Sequence, residues 1–190
     1  MVNLSFITDN LATGGDLPES TAAARRDLKK WQELGITHVV DNRLEWSDAE
    51  FVAQWAPEIR YLHNGVDDHG EAMPDEWFND GVEFIVKALN ASNAKVLVHC
   101  HMGINRGPSL AYAALLAIAW DPIEAISAIR SARPIAGLGY AEDALDWHHR
   151  CQHTPQAQRR RAERRLAAWR RDNWIDVVRI IRSIRTAQAS

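Results

Sequence analysis

The stretch VHCHMGINRGPS, residues 98–109, places a cysteine, two histidines and an arginine between two apolar segments. The segment KVLVH (95–99) has the length and composition of a short buried strand. The segment GPSLAYAALLAIAW (107–120) is almost wholly apolar, which is typical of a buried central helix. We therefore predict that residues 100–106 form a loop between a buried strand and the start of a buried helix.

A loop in this position is suited to binding an oxyanion. Its successive backbone N–H groups would point inward, and the helix N-terminus would add partial positive charge. Arg106 contributes a planar guanidinium that matches two oxygens of a phosphate group. Gly103 lets the loop curl, and Gly107 permits close approach at the helix entrance. Cys100 at the floor of this loop would be a thiolate nucleophile, so we infer that Cys100 attacks phosphorus while Arg106 holds its oxygens.

The rest of the chain alternates strand-like and helix-like segments, without repeats. This order predicts an α/β fold with a central, mostly parallel sheet flanked by helices. Two further predicted strands also end in polar residues: ITHVV (36–40) runs into Asp41 and Arg43, and IRYLHNGV (59–66) runs into Asp67 and Asp68. Because ligands of such sheets bind outside the carboxyl ends of the strands, we expect these ends to meet at one site.

The segment HCHMGINR (99–106) is similar to the His-Cys-x-x-Gly-x-x-Arg loop of the cysteine-based protein tyrosine phosphatases. Together with the compact size and YLHNGVDD (61–68), it resembles the dual-specificity branch, over roughly residues 3–149. The resemblance implies a phosphocysteine intermediate, no metal or other cofactor, and a general-acid aspartate about thirty residues before the cysteine. Asp68 matches that aspartate, and Asp67 is the rival. The resemblance also implies a phosphate-binding loop made of His101, Met102, Gly103, Ile104 and Asn105.

Two positions depart from the family's pattern. Gly107 stands where the family usually has a Ser or Thr that stabilises the departing thiolate, and Ser109 lies two residues further on. Ser109 is therefore an auxiliary candidate. His99 is another, although strand alternation points it away from the loop. RPIAGLGY (133–140) resembles the family's Arg-Pro segment but lacks an asparagine often found there, so no residue is assigned to position the water.

These features predict a phosphatase that acts on protein phosphotyrosine, phosphoserine or phosphothreonine. The alternatives are a phosphatase of RNA 5′ ends or inositides, a rhodanese-like domain, and a phosphate-binding module that has lost turnover. The loop has no lysine, which argues against inositides, and the Asp68 loop argues against rhodanese. Because Gly107 replaces the family's usual Ser or Thr, a phosphate-binding module that has lost turnover remains an alternative.

Other polar clusters have simpler interpretations. We expect Asp41 and Arg43 to form a structural pair at a strand end. His149 and His153 lie four residues apart, but zinc takes four ligands and no second cluster supplies them, so we predict a polar helix face and no metal site. The eight tryptophans are expected to anchor the core.

The charge is divided unevenly along the chain. Residues 150–190 hold eleven arginines and three acidic residues, a formal charge of +8, whereas residues 1–149 hold eleven basic and twenty-two acidic residues, −11. We predict a phosphatase domain over 1–153 and a basic amphipathic C-terminal helix over 154–190. Its apolar stripe (Leu166, Trp169, Val177, Ile180, Ile181 and Ile184) is expected to pack on the acidic body or to self-associate. Nucleic acid is not expected as a partner.

The location is predicted from the cysteines and the hydropathy. The two cysteines, Cys100 and Cys151, have no disulfide-framework spacing, which fits a reducing compartment. The first ten residues lack the features of a secretory signal, and the longest apolar run is too short to span a membrane. We therefore predict a cytoplasmic protein.

Overall fold

A five-stranded sheet carries the loop 100–106. The computed structural model describes residues 3–188. Its strands are β1 (Leu4–Phe6), β2 (Leu11–Gly14), β3 (His38–Arg43), β4 (Arg60–Val66) and β5 (Val96–His99). They lie in the order β1-β2-β5-β3-β4; β1 is antiparallel to β2, and the other neighbours are parallel. The predicted α/β class with a mostly parallel sheet is confirmed.

Helices cover both faces of the sheet. The helices are α1 (Thr21–Glu33), α2 (Ala49–Trp55), α3 (Asp75–Leu89), α4 (Arg106–Ala117), α5 (Pro122–Ala132), α6 (Ala141–Cys151), α7 (Gln156–Asp172) and α8 (Val177–Gln188). Strand residues alternate between the faces: Val39 and Leu97 pack with α1 and α2, whereas Val40, Val96 and Val98 pack with α3 to α6.

Helix α4 is the predicted central helix. All residues from Arg106 to Leu116 are buried, and α4 contacts α3, α5 and α6 as well as three strands. Strand β5, which precedes the loop, is also fully buried. The loop 100–106 is therefore anchored at both ends to the interior of the protein.

Asp41 and Arg43, which follow ITHVV (36–40), lie inside β3 and not beyond its end. Arg43 is fully buried and donates from Nε to Asp41 Oδ1 and from Nη2 to Asp41 Oδ2, both at 2.8 Å. Residues two apart share a face of a strand, so the guanidinium reaches both oxygens. Arg43 Nη2 also donates to Asp48 Oδ2 at 2.6 Å. The pair expected from the sequence is thus present and stabilises the edge of the sheet next to the loop.

The C-terminal extension forms two helices, so the prediction of a single helix is wrong. The chain leaves α7 at Asn173, whose side-chain amide donates to Trp169 O at 2.9 Å. It re-enters a helix after Asp176, whose carboxylate accepts from the Arg179 N–H at 2.9 Å. Asn and Asp favour such caps over helix interiors, which explains the break. Leu166 of α7 joins the main core, whereas the stripe residues of α8 (Val177, Ile180, Ile181 and Ile184) are only partly buried.

The tryptophans are only partly core residues. Trp31, Trp77 and Trp147 are buried, as expected. Trp46, Trp55 and Trp174 are 45%, 38% and 74% exposed. The expectation that all of them anchor the core is therefore wrong for these three.

Candidate active site

Cys100 lies at the carboxyl end of β5, between the ends of β2 and β3. Its side chain is a free thiol and the residue is 2% exposed. Its N–H group donates to Gly14 O at 3.4 Å. The thiol is therefore held by the sheet at the floor of the loop.

The backbone carbonyls of residues 101–104 are all held from outside the loop. The donors are Asp16 N–H to His101 O (3.0 Å), Arg133 Nη2 to Met102 O (2.8 Å), Arg133 Nε to Gly103 O (2.7 Å) and Gly137 N–H to Ile104 O (2.7 Å). In a trans peptide the N–H points away from the carbonyl of the same unit. The N–H groups of residues 102–105 therefore point toward the inside of the loop.

These inward N–H groups are free to bind an anion. Within residues 3–188, the N–H groups of residues 101–105 make no hydrogen bond. Gly103 adopts the left-handed conformation (φ +65°) that lets the loop curl, as predicted from its glycine. We call the space bounded by these N–H groups, Cys100 and Arg106 the cradle.

Arg106 closes the cradle from the side of α4. It is 2% exposed, and its Nη1 and Nη2 donate to the two carboxylate oxygens of Glu45, each at 2.8 Å. Nη1 also donates to Val66 O at 2.8 Å. Nε is buried and has no hydrogen-bond partner within the described part of the chain. Burial acts to lower the pKa of Arg106, but the hydrogen bonds with Glu45 and the nearby Cys100 outweigh it and raise this pKa.

Glu45 is a site residue that the sequence analysis missed. It follows β3 and accepts hydrogen bonds from both Nη atoms of Arg106, which fixes the guanidinium. The hydrogen bond with Arg106 lowers the pKa of Glu45 despite partial burial, so the pair is ionic at neutral pH. Its position in the sequence could have suggested this role, because Glu45 stands two residues past Arg43, at the carboxyl end of β3.

The two candidate acids, Asp67 and Asp68, point in different directions. Asp68 Oδ2 lies 3.6 Å from Arg106 Nε, and Asp68 Oδ1 accepts from the Tyr140 hydroxyl at 2.5 Å. Asp67 is 55% exposed at its side chain, and its Oδ2 lies 2.6 Å from Nδ1 of the exposed His69. Only Asp68 faces the cradle, which supports its choice over Asp67.

The two auxiliary candidates lie outside the cradle. His99 is fully buried, packs on Trp31 with 5.8 Å between ring centroids, and lies 3.8 Å from Asp41 Oδ1. Burial lowers the pKa of His99, which favours the neutral imidazole. Ser109 is fully buried, and its Oγ accepts from the Tyr140 N–H at 3.2 Å.

Gly107 packs directly against the strand that carries the nucleophile. A Cβ atom there would lie 3.0 Å from Val98 O and 3.1 Å from the His99 carbonyl carbon. These are backbone atoms, so a Ser or Thr at this position would need α4 or β5 to shift. The close approach predicted for this glycine is present.

Arg133 supports the loop from behind. This residue is 6% exposed, and its Nη2 also donates to Asn3 Oδ1 at 2.8 Å, which fixes the guanidinium. The sequence pointed to the Arg-Pro segment without a role for the arginine. The structure shows Arg133 bonding two loop carbonyls.

His101 lies on the rim of the cradle. Its Nδ1 is 2.7 Å from Asp16 Oδ2, and this hydrogen bond raises the pKa of His101 against partial burial. The exposed Trp46 contacts its ring edge to face, with centroids 5.3 Å apart. A cavity of about 810 Å³ opens beside this rim and provides room for groups attached to a bound phosphate.

The histidines of WHHRCQH lie far along α6. His149 is buried with its Nδ1 3.3 Å from Thr154 Oγ1, and His153 lies beyond the end of the helix. Among residues 3–188, no three His, Cys, Asp or Glu side chains are placed to hold a metal ion.

Comparison with known proteins identifies similar chains. The family described as "Dual specificity phosphatase, catalytic domain" matches residues 20–141. Dual specificity protein phosphatase 26 of Rattus norvegicus is 33% identical over 121 residues, which cover 62% of this chain and 54% of that protein. The human protein of the same name is 31% identical over 123 residues, 63% of this chain and 54% of that protein. This chain thus spans about half the length of these relatives.

Solved structures share the fold. The crystal structure of DUSP15 superposes with a TM-score of 0.62 at 22% identity, covering 87% of this chain and 97% of that chain. The crystal structure of PTPMT1 in complex with PI(5)P superposes with a TM-score of 0.63 at 21% identity, covering 79% and 97%.

Proposed function

Because the chain belongs to the dual specificity phosphatase catalytic-domain family, we propose that it hydrolyses phosphomonoesters through a phosphocysteine intermediate on Cys100. The observation that carries this proposal is the cradle, which combines the buried Cys100 thiol, inward N–H groups and a buried Arg106 Nε that makes no hydrogen bond within residues 3–188. Such donors stabilise negative charge on the phosphoryl oxygens in a site that excludes water. The thiolate is the reactive form of cysteine in such a transfer.

The first half of the reaction transfers the phosphoryl group to sulfur. The Cys100 thiolate attacks phosphorus, a P–S bond forms, and the bond between phosphorus and the ester oxygen breaks. Asp68 donates the proton of its Oδ2 to the departing oxygen, which leaves as an alcohol or phenol. The N–H groups and Arg106 hold the three non-bridging oxygens throughout.

The second half releases inorganic phosphate. Asp68, now a carboxylate, takes a proton from a water molecule as that water attacks phosphorus. The P–S bond breaks, and Cys100 returns as a thiolate. No step needs a metal or another cofactor.

We propose phosphorylated protein or peptide, carrying phosphotyrosine, phosphoserine or phosphothreonine, as the substrate class. The relatives of more than 30% identity are named protein phosphatases, which supports this choice. The likeness to PTPMT1, at 21% identity, is a likeness of fold and does not bear on the substrate. The loop itself offers His101 and no lysine to a polyanionic inositide headgroup.

A direct experiment tests the chemistry. Phosphate release from p-nitrophenyl phosphate should be abolished in Cys100→Ser, whereas binding of inorganic phosphate by calorimetry should persist, because the cradle donors remain. Arg106→Lys should lose both rate and binding, since an ammonium group cannot bridge two oxygens. Turnover by Cys100→Ser would overturn the nucleophile, and absence of turnover in the wild type would leave a phosphate-binding module.

A substrate panel then tests the class. Phosphotyrosine, phosphoserine and phosphothreonine peptides should be turned over in preference to RNA 5′ ends and inositide phosphates. A higher kcat/KM for either non-protein substrate would overturn the protein-phosphatase assignment while keeping the reaction.

We further propose that α8 mediates self-association of a cytoplasmic protein, with residues 1–153 as the phosphatase domain and 154–190 as an extension. Trp174 and Val178 are exposed, and Arg179, Arg182 and Arg185 make no ion pair within the described residues, so this segment can meet an acidic surface of a second copy. No helix described by the structure is both long and apolar enough to cross a membrane.

Light scattering tests the association. A chain that ends at Asn173 keeps Leu166 in the core, and its mass in solution should fall relative to the full chain. An unchanged mass, with loss of binding to anionic vesicles or RNA, would assign α8 to targeting instead.

A further inference from the structure

One phenol holds the acid loop (residues 67–74) against the body of the protein. The Tyr140 ring is 4% exposed and packs in the main core. Its hydroxyl donates to Asp68 Oδ1 at 2.5 Å and accepts from the Gly70 N–H at 3.3 Å. A single buried group therefore fixes both the carboxylate and the backbone of this loop.

Tyr140 is in turn fixed to the helix that carries the cradle. Its own N–H donates to Ser109 Oγ, one turn after Arg106 on α4. Asp143, one turn into α6, accepts from the Met73 N–H at 3.2 Å and ties down the far end of the acid loop. The contacts form a continuous path from α4 through Tyr140 to Asp68.

We propose that Tyr140 is a positioning residue for the general acid, which decides which oxygen of Asp68 carries the transferable proton. Oδ1 accepts from the phenol, so Oδ2, which lies 3.6 Å from Arg106 Nε, faces the cradle and holds the proton. This inference rests on the proposed phosphatase function and assigns a role within the same site.

Three charged groups lie near Asp68. Arg106 from α4 faces Asp68 directly, Glu45 faces it across Arg106, and Asp67 precedes it with an outward carboxylate. Burial and the hydrogen bond to Asp68 both raise the pKa of Tyr140, so the phenol remains a donor at neutral pH.

The test compares Tyr140→Phe with Tyr112→Phe. Tyr112 is fully buried on α4, and its hydroxyl has no partner among the described residues, so it is a matched control for loss of a buried hydroxyl. With phosphotyrosine peptides, kcat of Tyr140→Phe should fall about 10–100-fold, the worth of one hydrogen bond to a charged group, at similar KM. Aryl phosphates with very acidic phenols should be almost unaffected, and Tyr112→Phe should behave as wild type.

Two results would overturn the proposal. One is a loss of rate in Tyr140→Phe that is equal for all leaving groups, from phosphotyrosine peptides to aryl phosphates with very acidic phenols. The other is a further loss when Tyr140→Phe is added to Asp68→Asn, where no acid remains to be positioned. Supporting results are a leaving-group-dependent loss and no further loss in Asp68→Asn.

A measurement without turnover separates this inference from the proposed function. The unfolding free energies of Tyr140→Phe, Asp68→Ala and the double variant should be non-additive if the two side chains share a hydrogen bond. Additive values would overturn the contact itself. Non-additive values in a protein without phosphatase activity would refute the positioning of a general acid, and the proposed function with it, while leaving the contact in place.

Discussion

The two sides of the cleft are attached to the protein in different ways. In the loop 100–106, Cys100, Ile104 and Arg106 are each 2% exposed, and every carbonyl from 101 to 104 has a donor outside the loop. The acid loop is exposed from residue 67 to 72 and is tied down by Tyr140 and Asp143. The phosphate-binding loop is thus held in place by core packing. The position of the proton donor depends instead on a few polar contacts of the acid loop, which can be changed without altering the core.

The largest expected effect comes from a glycine-to-alanine substitution in the loop 100–106, compared with the same substitution in the acid loop. At Gly103 a Cβ would lie 2.5 Å from the carbonyl carbon and oxygen of Gly14, and at φ +65° it would also be strained. We expect Gly103→Ala to abolish turnover and to lower the unfolding free energy by about 1–3 kcal/mol for strain and a similar amount for overpacking.

Gly70→Ala is the matched control in the acid loop. Gly70 has φ +82°, but no heavy atom of the described residues lies within 4 Å of a Cβ there, so only the strain remains. Its activity on p-nitrophenyl phosphate should be close to wild type. Urea denaturation and phosphate release measure both variants, and equal damage would show that the two loops are equally constrained.

Loss of the acid should be the next largest effect. Asp68→Asn should slow hydrolysis of phosphotyrosine peptides about 10²–10⁴-fold, the usual worth of a positioned acid. Substrates with highly acidic leaving groups need little protonation and should slow much less. Asp67→Asn should behave as wild type in the same assays; if the two variants exchange behaviours, the acid is the other aspartate.

Glu45→Gln, which alters the cradle, should lower the rate less than Asp68→Asn does. The amide places an NH₂ group where Arg106 now finds a carboxylate oxygen, so the guanidinium loses one charged hydrogen bond and turns. We expect kcat to fall about tenfold, equivalent to roughly 1.5 kcal/mol. Steady-state kinetics measure this, with Glu50→Gln on α2 as the control; an unchanged kcat would show that Val66 O alone orients Arg106.

The smallest expected effect is a change in how the unfolding free energy depends on pH. The pKa of His101 is raised above 6.5 by Asp16, so its ion pair stabilises the fold fully below pH 6.5. That contribution is lost as the pH rises through the raised value. Asp16→Asn should therefore lose stability relative to wild type at pH 5.5 but little at pH 8.5, as measured by urea denaturation. A difference independent of pH would mean that His101 is not charged in the pair.

Local pattern predicted the parts of the site that lie on the continuous segment 99–107, and the resemblance to the family added Asp68. The positions of Cys100, Gly103 and Gly107, between a buried strand and a buried helix, follow from local pattern. Glu45 and Tyr140 were missed because they reach the site from loops distant along the chain, and no local spacing marks them. Their roles depend on which strands are neighbours in the sheet and where α6 begins.

The break in the C-terminal extension was missed for a different reason. Its apolar residues keep a helical spacing on both sides of Asn173, so periodicity alone predicts one helix. Two short capping contacts, at Asn173 and Asp176, outweigh that periodicity. Caps of this kind are visible in a sequence only when they are sought inside a predicted helix.

The two hydrogen bonds between Arg106 and the Glu45 carboxylate have a thermodynamic consequence for phosphate binding. A free arginine side chain carries about 2 kcal/mol of rotamer entropy, which a ligand must remove when it binds. Here Glu45 and Val66 O have already immobilised the guanidinium during folding. An incoming phosphate therefore meets a preorganised donor, and its affinity reflects dehydration and charge with little ordering cost.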